Sequence, residues 1–332
     1  MNLQHRINLM IRLGEYMSGN EQSWTEAKMN AGTANGWFIP QFVNLAGENI
    51  VHSFLQPAAL QSFADKYKLQ EENNHPVTVG VVMAGNIPMV GFHDFLCILL
   101  SGHHLLAKLS SKDDILMRHL INKLQEWEPE LKKQIVLSEM LKGCAAYIAT
   151  GSNNSARYFD YYFKKYPHLI RRNRTSAAIL TGSETTSELG KLSDDVHLYF
   201  GLGCRNVTHI YVPQGYDFIP LIEIFKKYNY FFDHSKYKNN YDYQLAIHLL
   251  NNNYYMSSGS ILLSENPSLF SPVSQLNYSF YQNIDEITAF LQGNQELQCV
   301  VGRGFVPFGQ AQTPALTEYA DGADTMEFLK TL

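Results

Sequence analysis

Cys204 carries the most nucleophilic side chain in a setting able to expose it. It follows two glycines in Phe200-Gly201-Leu202-Gly203-Cys204-Arg205-Asn206, just ahead of a strand-like run over 206–212. A thiolate on a Gly-rich elbow can attack a carbonyl and hold the product covalently. Glycine supplies the positive φ such an elbow needs. The same cysteine can instead be a small buried apolar residue, and the stretch alone leaves both readings open. Asn86, in Gly85-Asn86-Ile87-Pro88, has a carboxamide able to donate to the oxyanion that such an attack creates. It can equally serve only to shape a loop before proline. Lys108 lies 22 residues further on and ends a strand-like run, where it can reach a nucleotide ribose or phosphate or stand as a surface lysine. Thr150-Gly151-Ser152 closes another strand and opens a helix, a place where backbone N–H groups receive a pyrophosphate. It is neither GxGxxG nor a P-loop, and Gly190-Lys191 lacks the upstream glycine of a P-loop.

The elements that must position these residues follow from the hydrophobic pattern. Residues 1–75 read as helical, with Leu3, Ile7, Met10 and Ile11 on one face. Ser23 with Glu26 fits a capping box, and Pro40 and Pro57 suit first helical positions. Beyond 75 strands alternate with helices: strands at 77–83, 105–109, 135–137 and 145–149, helices near 90–100, 113–125 and 153–163. Ser111 with Asp114 fits a second capping box. This alternation predicts a parallel sheet of βαβ units with ligands at the carboxyl ends of its strands. A second unit is expected from about 171. Its strands fall at 176–180, 206–212, 261–263, 278–280 and 297–301, and its helices near 184–200, 216–228, 241–252 and 284–292. The resulting division is a helical region 1–75 packing on a cofactor domain 76–170, a catalytic α/β domain 171–311 and a tail 312–332 with a short helix near 323–330. The Tyr- and Phe-rich segment 228–256 can line a tunnel or pack a core.

Composition narrows the function. The 332 residues are 45% hydrophobic and 17% charged, an ordinary globular mix that can bury a sizeable core. A net charge of −5 argues against a nucleic-acid partner. Cys97, Cys144, Cys204 and Cys299 are widely spread without a CxxC pair, which fits neither a disulfide framework nor a metal site. No signal-peptide h-region or membrane span is expected, and the cytoplasm is the expected location.

Taken in order, these motifs resemble the aldehyde dehydrogenase superfamily. Asn86 and Pro88 match its oxyanion loop, Lys108 its ribose-binding strand end, Thr150, Gly151 and Ser152 its pyrophosphate loop, and Gly203 ahead of Cys204 its nucleophile loop. The likeness covers roughly 75–215. It implies an aldehyde-dehydrogenase-like α/β fold with a Rossmann-type cofactor domain, a Cys204 nucleophile, an Asn86 oxyanion donor and a nicotinamide cofactor on Lys108, Ser111, Thr150, Gly151 and Ser152. Two departures redirect the expectation. The region that carries a water-activating glutamate in hydrolytic members is Leu169-Ile-Arg-Arg-Asn-Arg-Thr175 here, with no carboxylate, and Glu184 comes too late to replace it. Ser111 with Lys112 stands where the family has a ribose-binding glutamate, which favours NADPH over NADH. The chain is thus similar to the LuxC-type acyl-CoA reductases, in a short form. Met83-Ala-Gly-Asn-Ile-Pro88, Asn35-Gly36-Trp37-Phe38, Arg172-Asn-Arg-Thr-Ser176 and Phe305-Val-Pro-Phe-Gly-Gln310 support that likeness. The implied activity is reduction of an acyl-CoA, with CoA as leaving group and either a homo-oligomer or an acyl-donor enzyme as partner. An acyl-phosphate or semialdehyde dehydrogenase and a non-catalytic assembly subunit remain the alternatives.

Overall fold

The computed structural model describes residues 1–332, apart from the side chain of Asn153. Contacts divide the chain into two units, 1–173 with 314–332 and 174–313.

The first unit opens with four amphipathic helices, α1 (Leu3–Ser18), α2 (Gln22–Ala34), α3 (Pro40–Phe54) and α4 (Pro57–Tyr67). Their apolar faces are buried through Ile7, Met10, Leu13, Phe42, Val43 and Phe63. Pro40 and Pro57 stand at helix starts as expected, where proline's missing N–H costs nothing. The capping box expected at Ser23 does not form. Helix α2 starts two residues earlier, with Glu21 rather than Ser23 at its N-cap, and the Ser23 hydroxyl instead meets the Tyr16 hydroxyl at 2.9 Å.

The sheet follows: β1 (Thr78–Val82), α5 (Phe92–Ser101), β2 (His104–Lys108), α6 (Asp114–Trp127), α7 (Leu131–Gln134), β3 (Ile135–Leu137), β4 (Ala146–Thr150), α8 (Asn153–Phe163) and β5 (His168–Arg171). Its order is β3-β2-β1-β4-β5 and every pairing is parallel. The chain moves outward from β1 to β3 and then returns to the other side of β1. The resulting switch point lies between β1 and β4, where open α/β sheets bind ligands at the strand carboxyl ends. Strand β5 is not apparent in the sequence, because four residues ending in a charge give no periodic signal. Its Arg171 is buried on Asp94 of α5, with Thr325 also donated to. Thr325 begins α13 (Thr325–Lys330), so residues 314–332, read from the sequence as a tail, pack within this unit.

The second unit runs β6 (Thr175–Ile179), α9 (Thr186–His197), β7 (Val207–Pro213), α10 (Ile219–Phe225), α11 (Ser235–Leu250), β8 (Met256–Ser257), β9 (Leu262–Glu265), β10 (Gln275–Tyr281), α12 (Ile284–Leu291) and β11 (Leu297–Val301). Its sheet order is β11-β6-β7-β10-β9-β8, parallel except for β8 against β9. The core on one face of the sheet joins Leu192, Val196, Ile210, Val212, Leu263 and Leu276. The helix expected to reach residue 228 stops at Phe225, and a 3-10 run over Lys226–Asp233 carries on. Tyr228, Phe231, Tyr237 and Tyr241 of the aromatic segment are buried in this unit, whereas Tyr243 and Tyr254 are exposed. No helix among the described residues is long and apolar enough to cross a membrane.

Candidate active site

Helix α9 was expected to run to residue 200; it ends at His197 because the backbone then turns left-handed. Tyr199, Phe200 and Gly201 have φ of 55°, 56° and 73°. Glycine accepts this at little cost, but each non-glycine costs roughly 1–2 kcal/mol. Two sets of contacts hold the turn. Phe200 is buried against Phe231, Tyr237 and His234, with ring centroids at 4.6, 5.4 and 5.2 Å. Beside it, His197 stacks on Tyr228 at 4.4 Å and donates through Nδ1 to the Ser193 carbonyl at 2.8 Å. Burial pushes His197 down to about 4, so it stays neutral.

The second set centres on Asn206, which is fully buried. Its Nδ2 donates to the carbonyls of Leu198 (2.8 Å), Asp195 (3.1 Å) and Val196 (3.4 Å), and its Oδ1 accepts the Gly203 N–H at 2.8 Å. One carboxamide therefore ties the end of α9 to the loop that carries Cys204. The Asn206 N–H also bonds the Gly203 carbonyl at 3.0 Å. In a trans peptide the N–H points opposite to the C=O. Fixing the Gly203 carbonyl on Asn206 therefore aims the Cys204 N–H away from the turn. The next peptide is pinned as well: the Ser176 hydroxyl of β6 donates to the Cys204 carbonyl at 3.1 Å and accepts the Cys299 N–H at 3.2 Å. Cys204 itself is half-buried at the amino-terminal end of β7.

Asp195 and Arg205 secure the segment after β11 to the same loop. The Asp195 carboxylate accepts the N–H groups of Gly309 (2.6 Å) and Ala311 (3.1 Å), and the Arg205 guanidinium donates to the Ala311 carbonyl at 3.4 Å. Burial raises the Asp195 carboxyl to about 7 despite those two donors.

In the first unit Asn86 is exposed in the loop between β1 and α5. That loop is positioned by the one after β2. A Cβ on Gly85 would lie 2.6 Å from Ser110 Oγ and 3.1 Å from Asp113 Cβ, so only glycine fits this approach. Asp113 accepts the N–H of Met89, itself left-handed at φ 57°, at 2.5 Å. Burial raises the Asp113 carboxyl to about 7. The Ser111 cap expected for α6 is not made. The helix starts at Asp114, its N-cap is Asp113, and Ser111 is exposed beside exposed Lys112. The carboxylate that a local cap would use is spent on Met89.

Lys108 ends β2 with its side chain 45% exposed, 3.9 Å from Glu139. Thr150 ends β4, and Ser152 caps α8 by accepting the Ser155 N–H at 3.3 Å. A Cβ on Gly151 would meet Ser155 Cβ at 2.9 Å and Phe159 at 3.0 Å, so the strand-to-helix step is tight enough to require glycine. These loops all lie at the carboxyl edge of one sheet, on both sides of its switch point. A cation at one strand end and a capped helix amino terminus at another fit a dinucleotide's phosphates and ribose.

The sequence expectation is that 169–175 holds no carboxylate and that Glu184 comes too late to replace one. In 169–175 the charged groups are cationic: Arg171 is buried on Asp94, and Arg172 pairs with Asp160 at 2.9 Å. Glu184 folds back on its own turn and accepts the N–H groups of Thr181 (2.7 Å) and Gly182 (3.0 Å). That turn follows the carboxyl end of β6, whereas Cys204 precedes the amino end of the parallel neighbour β7. Five residues of strand, roughly 16 Å, separate the two ends.

Sequence reasoning missed Asn206, Ser176, Asp195 and Asp113. Asn206 alone gave a local signal, since an asparagine beside glycines often bonds nearby backbone. The others act through contacts distant in sequence.

Neither a family model nor a curated protein matches the chain. Solved structures do match, and they show its fold to be that of the aldehyde dehydrogenases. Aldehyde dehydrogenase 21 of Physcomitrella patens, in complex with the reaction product succinate, gives a TM-score of 0.71 at 8% identity, over 100% of this chain and 84% of that one. Indole-3-acetaldehyde dehydrogenase AldA of P. syringae, in complex with NAD+, gives 0.65 at 12%, over 91% and 72%. An NADP-dependent enzyme of E. coli gives 0.66 at 10%, over 91% and 73%.

Proposed function

We propose that this chain is an NADPH-dependent acyl-CoA reductase that forms an aldehyde through an acyl-enzyme on Cys204. One observation carries the reading: a cysteine elbow pinned on both flanking peptides is combined with a 169–175 segment that holds no carboxylate and a Glu184 bonded to its own turn. An acyl-thioester there outlives hydrolysis and is left for a reductant or a thiol.

The Cys204 thiolate attacks the thioester carbonyl, and a C–S bond forms as the π pair moves to oxygen. The Asn86 carboxamide and the Cys204 N–H hold that oxyanion. Its collapse expels CoA as a thiolate and leaves the acyl group on Cys204. Lys108, Thr150, Gly151 and Ser152 would hold NADPH, with Ser111 and Lys112 accommodating a 2′-phosphate that a carboxylate would repel. When bound, the cofactor supplies the hydride. Cys204 then leaves as the thiolate and the aldehyde is released.

The test is incubation with radiolabelled acyl-CoA, with and without NADPH. Label should accumulate on the protein without NADPH and be discharged as aldehyde with it. Cys204→Ala should not label. Asn86→Ala should slow labelling by about 10²–10³-fold, the usual effect of losing one oxyanion donor. Labelling of Cys204→Ala would falsify the nucleophile. Turnover of acyl phosphates or free aldehydes in preference to acyl-CoA would overturn the substrate class.

A further inference from the structure

A small cavity lies directly behind the turn that leads to Cys204. Its volume is about 20 Å³, and it is closed in by the end of α9, the left-handed turn at Phe200 and Gly201, the start of β7 and the loop between β9 and β10. Val196, Phe200, Val207 and Ile261 supply apolar wall, and no charged side chain lines it. His197 lines it too, is 2% exposed, and its Nε2 has no partner. Stacking on Tyr228 and the Nδ1 bond to the Ser193 carbonyl at 2.8 Å fix the ring. With the proton on Nδ1 and the imidazole kept neutral by burial, Nε2 is an acceptor. The hydroxyls around the cavity do not serve it. Thr208 donates to the Leu269 carbonyl at 2.6 Å, Ser271 to the Gln275 carbonyl at 2.6 Å and Ser274 to the Val273 carbonyl. A buried acceptor thus faces a small space whose serine and threonine donors are committed elsewhere.

We propose that this cavity is a binding site for one structural water molecule, which donates to His197 Nε2 and stitches the end of α9 to the loop before β10. The volume suits that ligand, since one water needs roughly 10–15 Å³ of such space and an organic molecule needs many times more. The chemistry suits it as well. With no charge on its walls and a neutral imidazole, the site gives an ion nothing to pair with. A water brings the donor that Nε2 lacks, and its second proton meets the lone pairs that the Ser271 and Ser274 hydroxyl oxygens keep. His197 and Phe200 flank the same left-handed turn, so the water supports the Cys204 elbow from behind. The site is independent of what Cys204 acts on.

A crystal structure of the full chain at a resolution that shows ordered water is the direct test. One peak should stand in the cavity within hydrogen-bond distance of Nε2, roughly 2.7–3.2 Å. In solution at neutral pH, the nitrogen resonance of His197 Nε2 should lie where that of a hydrogen-bonded imidazole acceptor does. A slowly exchanging water should also give cross-peaks to the Ile261 and Val207 methyls. Val207→Ile decides the sign of the energetic effect. Filling a dry cavity raises the melting temperature, whereas displacing a bonded water orphans Nε2 and lowers it. The variant should therefore melt lower, lose the water cross-peaks and move the Nε2 resonance to the unbonded position, with its circular dichroism unchanged. An empty cavity in the wild-type crystal, an Nε2 resonance already unbonded in the wild type, or a Val207→Ile chain that melts higher would each overturn the proposal.

Discussion

Removing the Asn206 carboxamide should release the Cys204 elbow before it disturbs anything else. Asn206→Ala deletes two close bonds of 2.8 Å, to the Gly203 N–H and the Leu198 carbonyl, and two longer ones at 3.1 and 3.4 Å. A buried polar group left without its partner costs about 1–3 kcal/mol. Two such groups, with the longer bonds as a lesser addition, give a loss of about 3–5 kcal/mol. The left-handed pair Tyr199 and Phe200 favours opening of the loop, because its strain of roughly 1–2 kcal/mol per residue is then less opposed; relaxing it recovers part of that loss. For a unit of this size the loss corresponds to a fall in melting temperature of roughly 10 °C. Well below that temperature the fold persists, and acyl-trapping and iodoacetamide labelling of Cys204 should drop by far more than the unfolded fraction accounts for. Asn206→Asp sharpens the test. It keeps an acceptor for Gly203 but turns a carboxylate toward three carbonyl oxygens. It should be worse than alanine at neutral pH. Its folded pKa would lie above the ordinary carboxylate value, so the stability it retains is present at low pH and lost as pH rises through that raised pKa. A melting shift equivalent to less than about 1 kcal/mol in Asn206→Ala, or an aspartate variant as stable as the parent, would refute the pinning argument.

Gly85→Ala should lower stability by about 1–3 kcal/mol and slow turnover, since its methyl would lie 2.6 Å from Ser110 Oγ and 2.7 Å from Ser110 Cβ. Ser110→Gly in the same chain should restore much of both, and an absence of rescue would show that the loops are not packed in this way. The raised carboxyl of Asp195, at about 7 against an ordinary 3.8, sets a sign for pH. A group raised on folding contributes stability below its unfolded pKa that is lost as pH climbs toward the folded one. Denaturant midpoints of wild type minus Asp195→Asn should therefore fall between about pH 4 and about pH 7, by at most roughly 4 kcal/mol, and level off above. The subtraction matters because His197, held down to about 4, works in the opposite direction as pH falls below its ordinary value. A difference that is flat across this range would mean that Asp195 is not desolvated.

The alternation of apolar runs with amphipathic stretches made the sheet of the first unit legible, because strands buried on both faces are nearly continuous in apolar residues. Helix α8, whose start is set by Ser152 and whose inner face is aromatic, matched its expected bounds at both ends. Features fixed by distant contacts did not show. The caps proposed at Ser23 and Ser111 obeyed a local rule that tertiary partners overrode, Tyr16 in one case and the Met89–Asp113 bond in the other. The early end of α9 is a consequence of aromatic packing around Phe200, and no propensity of Leu198 or Tyr199 announces it. The residues around Cys204 could be read for type but not for support. Ser176 stands 28 residues before Cys204, and its hydroxyl looks like that of any strand serine until the two strands are laid side by side.

The return of residues 314–332 to the first unit fixes an order of completion. The second unit is contiguous over 174–313, so every residue it needs has been synthesised once position 313 is added. The first unit is still open at that moment. Buried Arg171 lacks the Thr325 hydroxyl, Tyr67 lacks the Asp324 carboxylate that its hydroxyl reaches at 2.7 Å, and His103 lacks the Leu329 carbonyl at 3.1 Å. During synthesis the proposed cofactor sheet therefore waits, partly unsealed, for a helix of six residues made long after its own strands. The part of the protein translated first is the last to become whole.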